Sequence, residues 1–420
     1  MVTEHSERIG VAEQLALEGG TPVCNPPLRV SGERFGDREI ALLTEVIRSQ
    51  QLNRNSGTVV KTFEQRWADY MGVKHVIMST SGTAAIHIAL GALDLNPGGE
   101  VITSPITDMG TIVPIVMQNL VPIFADLDRA TYCMDPADLE RRITEYTKVL
   151  LPVHLMGYPC DMDAILKLAE RYDLYVIEDC AQAFNARHKG RKVGTMGHLG
   201  CFSLNQHKHI GCGDGGITIT NDDALGRRAL LFSDKAWPRE GGDVADRDHL
   251  FVAPNYRVTE LQAAVALAQL EKLDGITDRR TALGDLLCQL IRDAPGVLPP
   301  AYAPGAGAYW HFIFRVDPAK RDRFARALSA EGIPAAAGYV PQPIYMYDAI
   351  RQQKTYGDSH FPFGYPPFRP ERDIEYGPGL CPNTELLVRE MVRISLNEFY
   401  SEDDVRQVAT AIHKVARLLT

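Results

Sequence analysis

Apolar and polar positions change rhythm several times along this chain. Between Asp37 and Ser49, the residues Ile40, Leu43, Val46 and Ile47 recur at helical spacing and predict a helix. From residue 74 onward, short apolar runs alternate with longer periodic ones. Strands are predicted at 74–78, 100–102, 121–124, 148–151, 174–177 and 217–220, with helices at 82–93, 109–119, 136–144 and 161–172. Short apolar strands separated by helices are the pattern of a mostly parallel central sheet flanked by helices, the α/β class. Such sheets bind ligands at the carboxyl ends of their strands, and chemistry is sought there.

The texture then changes. A helix is predicted over 258–273, with an apolar face too broad for a lone surface helix, so it packs across the body or into a subunit contact. After the linker-like stretch Pro299–Gly305 come an aromatic strand over 309–314 and a helix from Pro318 closed by Gly332. A final helix opens with Ser401 and Asp404 in capping-box spacing and places Val405, Val408, Ile412, Val415 and Leu419 on one face. This pattern predicts a large domain over 1–280, including an N-terminal arm, and a smaller α+β domain over 281–420. Residues 357–379 are rich in Pro, Gly, Tyr and Phe without periodicity, and a loop of that length usually serves function.

Composition narrows the class but not the activity. A chain of 420 residues, 45% hydrophobic and 23% charged, can bury a sizeable core. A net charge of −9 with no basic stripe argues against nucleic acid as a partner. The longest apolar stretch, 101–124, carries Asp108, Asn119 and three prolines, which a membrane-spanning helix would not tolerate cheaply. The opening residues Glu4, His5, Glu7 and Arg8 show no secretion signal, and the eight scattered cysteines form no CxxC pair. These features read as a cytoplasmic protein with reduced thiols.

Three segments could carry chemistry. Ser79-Thr80-Ser81-Gly82-Thr83-Ala84-Ala85 follows a strand and opens a helix, whose N-terminus can hold a phosphate or simply carry a hydroxyl cap. Asp179 ends a buried strand and needs a cationic or proton-bearing partner there, unless it is a plain surface acid. The stretch Phe202–Gly216 permits three readings. Gly211-Cys212-Gly213-Asp214-Gly215-Gly216 matches a dinucleotide glycine pattern, but a strand follows where that fold requires a helix. Cys201, His207, His209 and Cys212 match no common zinc spacing, so no metal is expected. Lys208, in a polar loop beside the glycines, is a candidate Schiff-base amine. Each signal alone is weak. A phosphate cradle, a strand-end Asp and a lysine about thirty residues beyond it together form the set that pyridoxal phosphate requires.

At this point the chain resembles the DegT/DnrJ/EryC1/StrS family. The resemblance rests on Ser79–Ala85, Val153–Gly157 with Asp161-Met162-Asp163, Glu178–Ala183, Phe202–Gly216 and Asn255–Ala264, and it extends to Leu17–Val23 and Asn397–Tyr400. It implies the type I aminotransferase fold, pyridoxal or pyridoxamine phosphate as cofactor, and transfer of an amino group from glutamine or glutamate to a keto-sugar or keto-cyclitol. It also implies a place in aminosugar or aminoglycoside antibiotic biosynthesis. By the same resemblance Lys208 bonds the cofactor aldehyde and then shuttles a proton. Asp179 pairs with the pyridine nitrogen and Gln182 lies against the 3′-oxygen. Gly82, Thr83 and Ser203 hold the phosphate, and Asn255 reaches it from the neighbouring subunit of a homodimer. Many relatives place an aromatic ring-stacking residue where this chain has Asp108-Met109. Relatives that dehydrate sugars carry histidine in place of the lysine, and Lys208 stands in the aminotransferase register. Other pyridoxal chemistry and a non-catalytic regulator are the competing readings. Asp108, His154, Tyr158, Tyr339 and the 357–379 loop are candidate substrate contacts. Arg351, Lys354, Arg369 and Arg372 flank that loop but are offset by Asp358, Glu371, Asp373 and Glu375, which leans toward a small uncharged ketone.

Overall fold

Burial on both faces explains why the central strands are apolar at nearly every position. The computed structural model describes residues 14–239, 248–363 and 374–419. Seven strands form the main sheet: β1 (His75–Ser79), β2 (Glu100–Thr103), β3 (Val121–Phe124), β4 (Thr147–Leu151), β5 (Tyr175–Asp179), β8 (Leu199–Ser203) and β9 (Gly216–Thr220). A short hairpin, β6 (Arg187–His188) with β7 (Arg191–Lys192), lies between β5 and β8 in sequence. The order across the sheet is β1-β9-β8-β5-β4-β2-β3, and β9 alone runs against its neighbours. Alternate residues divide between two cores, as a pleated strand requires. Met78, Ile102, Leu150, Val176 and Phe202 enter one apolar cluster, while Ile77, Val101, Val149, Ile177 and Cys201 enter the other. The mostly parallel sheet flanked by helices is therefore as expected.

A second sheet, β10 (Phe312–Arg315), β12 (Met391–Ile394) and β11 (Ala335–Ala337), is antiparallel with β12 in the middle. The helices Arg321–Ala330 and Glu402–Leu419 pack beside it. The last helix starts as predicted: Asp404 Oδ2 accepts from the Ser401 amide at 2.8 Å, and Ser401 Oγ accepts from the Asp404 amide at 3.1 Å. Val405, Val408, Ile412 and Val415 are buried along its face.

Two predicted elements differ in detail. The helix expected over 258–273 is two, Glu260–Leu270 and Leu273–Leu290, because the chain turns at Glu271-Lys272, where Lys272 reaches Glu39 and the Arg34 carbonyl. The aromatic strand starts only at Phe312. Tyr309 has a left-handed backbone (φ 44°), and the amides of Ala308 and Trp310 donate to Gly157 and Met156 rather than to a ladder. Those bonds tie the residues before β10 to the main domain. Of the 357–379 loop, residues 364–373, with Arg369, Arg372, Glu371 and Asp373, lie outside the described residues, as do residues 1–13 with the opening Glu4, His5, Glu7 and Arg8. The described part packs beside β3, where the Tyr376 hydroxyl donates to the Pro122 carbonyl at 2.6 Å. All eight cysteines are free, and Cys288 alone is not fully buried.

A buried ion pair fastens the N-terminal arm. Glu331, fully buried, accepts from the amides of Ala16 (2.9 Å) and Val23 (3.0 Å) and from Lys414 Nζ (2.9 Å). Lys414→Met leaves that carboxylate buried without its cation, which typically costs about 3–5 kcal/mol. The urea midpoint should fall accordingly, and Glu331→Leu added to Lys414→Met should recover much of the loss. A single variant that unfolds at the wild-type midpoint would refute this account.

Candidate active site

The site forms where the carboxyl ends of β1, β5 and β8 meet the start of β9. Register places Ser79 and Ser203 on either side of Gly216. A Cβ on Gly216 would lie 2.0 Å from the Ser81 carbonyl oxygen, so the chain can pass here only without a side chain. This close approach, rather than dinucleotide binding, accounts for the last glycine of the run.

Ser81 caps the helix Gly82–Ala92, its Oγ accepting from the Ala84 amide at 3.0 Å. The first-turn N–H groups of Gly82 and Thr83 precede the helical ladder, and both residues line a cavity of about 340 Å³. A Cβ on Gly82 would meet Ser203 Cβ at 2.8 Å, and one on Gly110 would meet Thr83 Oγ1 at 2.7 Å. Two glycines thus keep this cradle open. The hydroxyls of Ser81, Thr83 and Ser203 and the positive end of the helix give it the chemistry of an anion site.

Lys208 lies on the loop between β8 and β9, in the same cavity wall. Its amide donates to the Asn205 carbonyl at 2.9 Å, and its Nζ stands 3.8 Å from the centre of the Trp310 ring. Among the described residues no carboxylate comes within ion-pair distance of it. Burial pushes the ammonium down to about 8, against the pull of Asp179 and Asp108.

Asp179 ends β5 at the cavity. Its Oδ1 accepts from the Ala181 amide at 3.0 Å and its Oδ2 from the Thr111 hydroxyl at 2.8 Å. Thr107 Oγ1 and Thr111 Oγ1 are 2.6 Å apart. Because Thr111 spends its proton on Asp179, Thr107 donates to Thr111. Burial nevertheless raises the Asp179 carboxyl above its ordinary range.

Gln182 is oriented by the backbone. Its Oε1 accepts from the Met156 amide at 2.8 Å, so its Nε2 is the atom that points toward the cavity, where it donates to the Tyr339 hydroxyl at 3.3 Å. Met156 makes that bond from a left-handed conformation (φ 58°).

Of the sequence candidates, Gly82, Thr83, Asp108, Asp179, Gln182, Ser203, Lys208 and Tyr339 converge on this one cavity. Asp108 caps the helix Met109–Met117 with one oxygen on the Gly110 amide at 2.7 Å, whereas Met109 turns to the apolar core behind it. Three candidates stand elsewhere. Asn255 is exposed, does not line the cavity of its own chain, and its Oδ1 accepts from the Arg257 amide. His154 is corrected from substrate contact to buried support. Its Nδ1 accepts from the Cys160 amide at 3.0 Å, so its Nε2 carries the proton donated to Glu178 at 3.1 Å. Glu178 also accepts from the amides of Gly194, Met196 and Gly197. Tyr158 is likewise corrected: it is fully buried and stacked on Tyr302, with ring centres 4.9 Å apart.

Trp310, Asp214, Asn205 and Thr111 line the cavity without having been singled out as site residues. Thr111 was legible, three residues beyond Asp108 on one helical face. Trp310 was not. Its indole N–H donates to the His207 carbonyl, 103 residues away in sequence, at 2.7 Å. A larger groove of about 730 Å³, lined by Arg54, Lys74, His75 and Arg239 among others, holds none of the candidates.

Comparison with known proteins supplies the family. The family model for the DegT/DnrJ/EryC1/StrS aminotransferase family matches residues 33–365. The chain is 35% identical over 337 residues to a putative L-glutamine:3-amino-2,3-dideoxy-scyllo-inosose aminotransferase of Streptoalloteichus tenebrarius, covering 77% of this chain and 79% of that one. It is also 35% identical over 326 residues to the GDP-perosamine synthase of Caulobacter vibrioides, covering 76% and 86%. Among solved structures, NtdA of Bacillus subtilis with bound cofactor PMP superposes with a TM-score of 0.77 at 26% identity, covering 90% of this chain and 81% of that one. The chain belongs to the DegT/DnrJ/EryC1/StrS aminotransferase family, and it is a pyridoxal phosphate-dependent aminotransferase of the sugar and cyclitol type.

Proposed function

We propose that this family member aminates a small polyhydroxylated ketone, with glutamine or glutamate as donor, through Lys208 as the catalytic amine. The observation that carries this is a half-buried lysine without a carboxylate partner among the described residues, in one cavity with Asp179, Gln182 and an open helix N-terminus. The donor set fits the cofactor: an amine for its aldehyde, a carboxylate for its ring nitrogen, and N–H and hydroxyl groups for its phosphate. When bound, pyridoxal phosphate supplies a carbonyl that bonds amines and a protonated ring that accepts the electron pair left on the substrate carbon.

The residues divide the remaining work. Lys208, with its ammonium pulled down to about 8, supplies an appreciable neutral fraction near neutral pH to take a proton from the substrate carbon and return it. Asp179, aimed by Thr111 and the Ala181 amide, holds a proton on the ring nitrogen. That contact gives the buried carboxylate the positive partner it lacks in its own chain. Gln182, its amide fixed by Met156, donates to the ring oxygen. Gly82, Thr83 and Ser203 bind the phosphate. Asn255, turned to the surface, reaches the phosphate of a second copy in a homodimer.

Among the described residues that line the cavity, Lys208 is the one Lys or Arg, facing Asp108, Asp179 and Asp214. A nucleotide diphosphate requires cations, so an uncharged cyclitol or sugar ketone suits this wall better. A cytoplasmic role in aminocyclitol or aminosugar antibiotic assembly accords with the inosose relative and with eight free cysteines. The test is a panel of free cyclitol ketones and nucleotide-linked keto-sugars, assayed with both donors. The free ketones should be aminated stoichiometrically with donor consumed, at kcat/KM at least about tenfold above the nucleotide-linked set. The reverse preference would overturn the substrate class, and ketone dehydrated without donor loss would overturn the reaction.

A further inference from the structure

Lys208 stands on a loop, and its amine is only as well placed as the backbone beneath it. That backbone is held from outside. The Gln206 carbonyl accepts from Arg34 Nη1 at 3.2 Å, and the His209 carbonyl accepts from Arg34 Nη2. Between them the His207 carbonyl accepts from the Trp310 indole at 2.7 Å. The His209 ring donates in return, from Nε2 to the Ala308 carbonyl at 2.9 Å. The loop of Lys208 and the segment that carries Trp310 are therefore stapled to each other, and Arg34 grips the loop on both sides of the lysine.

One carboxylate serves both walls. Arg34 Nε stands 3.1 Å from Glu398 Oε1 as an ion pair, without the alignment of a hydrogen bond. Arg280 Nε donates to Glu398 Oε2 at 2.7 Å, with Nη2 at the same distance. Arg280 Nη1 then donates to the carbonyls of Tyr309 (3.2 Å) and Trp310 (3.0 Å). Glu398 already has the closer partner in Arg280, so charge balance alone does not account for Arg34. What Arg34 adds is the grip of its two Nη groups on the lysine loop.

Arg34 is itself fixed before it reaches that loop. Its carbonyl accepts from Gln269 Nε2 at 2.9 Å and from Lys272 Nζ at 3.0 Å. Asn397, beside Glu398, donates to the carbonyls of Arg29 and Val30, each at 3.2 Å. The arm is thus anchored on both flanks of the guanidinium. Only a planar fork of donors can meet a carboxylate and two separate carbonyls at once, which a lysine ammonium in its place cannot do.

We propose that Arg34 is a positioning residue for the amination reaction, fixing the loop of Lys208 from the N-terminal arm so that the amine meets the substrate carbon. This rests on the reading of Lys208 as the catalytic amine. Proton transfer at carbon needs that placement, because a displacement of about 1 Å at a reacting group can cost on the order of 100-fold.

The experiment mixes holoenzyme with excess glutamine or glutamate, without ketone, and follows the bound cofactor's visible absorbance through one half-reaction. Arg34→Gln and Arg34→Lys should each lower the limiting rate by about tenfold or more. The half-saturating donor concentration should stay within about twofold of wild type, since the loss falls on the chemical step. Deuterium at the donor Cα should slow both variants at least about twofold, because movement of that proton is the step made slow. Arg34→Lys keeps a positive charge beside Glu398, so it should melt at the wild-type temperature while remaining slow, and it decides the matter if Arg34→Gln does not fold. Limiting rates unchanged in both variants, a rate fully restored by Arg34→Lys, or a loss without an isotope effect would overturn the proposal. Lys208→Ala in the same assay reports on the underlying reading: a wild-type rate there ends that reading, whereas an inactive Lys208→Ala beside a fully active Arg34→Gln ends this proposal alone.

Discussion

Lys208→Ala should remove the visible absorbance of the cofactor-loaded protein and lower amination turnover by about 10⁴-fold, toward the upper end for loss of a general acid–base group. Both effects have one cause: the side-chain amine that bonds the cofactor aldehyde is also the group that moves the proton. Lys208→Arg separates charge from nucleophilicity. A guanidinium can keep the cation–π contact with Trp310 but stays protonated, so it should fail in both assays as Ala does. The pH dependence follows from the depressed ammonium. An ordinary lysine near 10.4 has well under one neutral amine in a thousand at pH 7, whereas one at about 8 has about a tenth neutral. The rate at which apo-protein captures pyridoxal phosphate should therefore climb with pH up to about 8 and level off above it. A Lys208→Ala protein with a normal visible spectrum would sink the assignment of this residue. A capture rate still rising steeply above pH 9 would sink only the depressed amine.

Asp179→Asn should cost about 10³-fold in turnover, the scale of losing one preorganised electrostatic contact at the reacting centre. The amide keeps the volume and can still accept from Ala181, but it cannot hold a proton on a ring nitrogen. Stability should move the other way. Burial raises the Asp179 carboxyl, so at neutral pH ionisation in the folded state works against folding, whereas a carboxyl held below its ordinary value would support it. The Asn variant of the apo-protein should thus melt at or above the wild-type temperature. Near-normal turnover, or a melting temperature several degrees lower, would show that the carboxylate serves the fold rather than the ring. Together the two variants distinguish a site built for a charged aromatic cofactor from a polar pocket that merely happens to contain both groups.

Much of this site was legible before any coordinates. Ser81, Gly82 and Thr83 announced a helix start after a strand. Asp179 announced a strand end, and Lys208 stood in a polar loop beside glycines that lead into a strand; the strand before it, Leu199–Ser203, emerged only in the structure. Each is a local pattern; the order of strands across the sheet, with β9 between β1 and β8, is not. His154 and Tyr158 misled for a physical reason. Polar atoms on a motif beside the sheet look like ligand contacts in sequence, yet both side chains point inward. His154 serves the carboxylate of Glu178, and Tyr158 serves an aromatic stack with Tyr302 and Tyr309. Local pattern tells how a residue sits on its own element, not which distant element covers it.

The chain's own pattern of short strands, helix caps and turn glycines determined the α/β fold, the edge of the sheet that carries chemistry, and the lysine and aspartate placed on that edge. Tertiary structure alone decided the rest. It set Trp310 over Lys208 from the far side of a linker, chose Asp108 over Met109 for the cavity wall, and fixed the direction of the Gln182 amide through the Met156 turn. The division has a plain origin. Caps, turns and strand periodicity are short-range and recur with fixed spacing in sequence. Desolvation and the pairing of charges depend on which groups fold into contact from a hundred residues away, and no spacing along the chain encodes that.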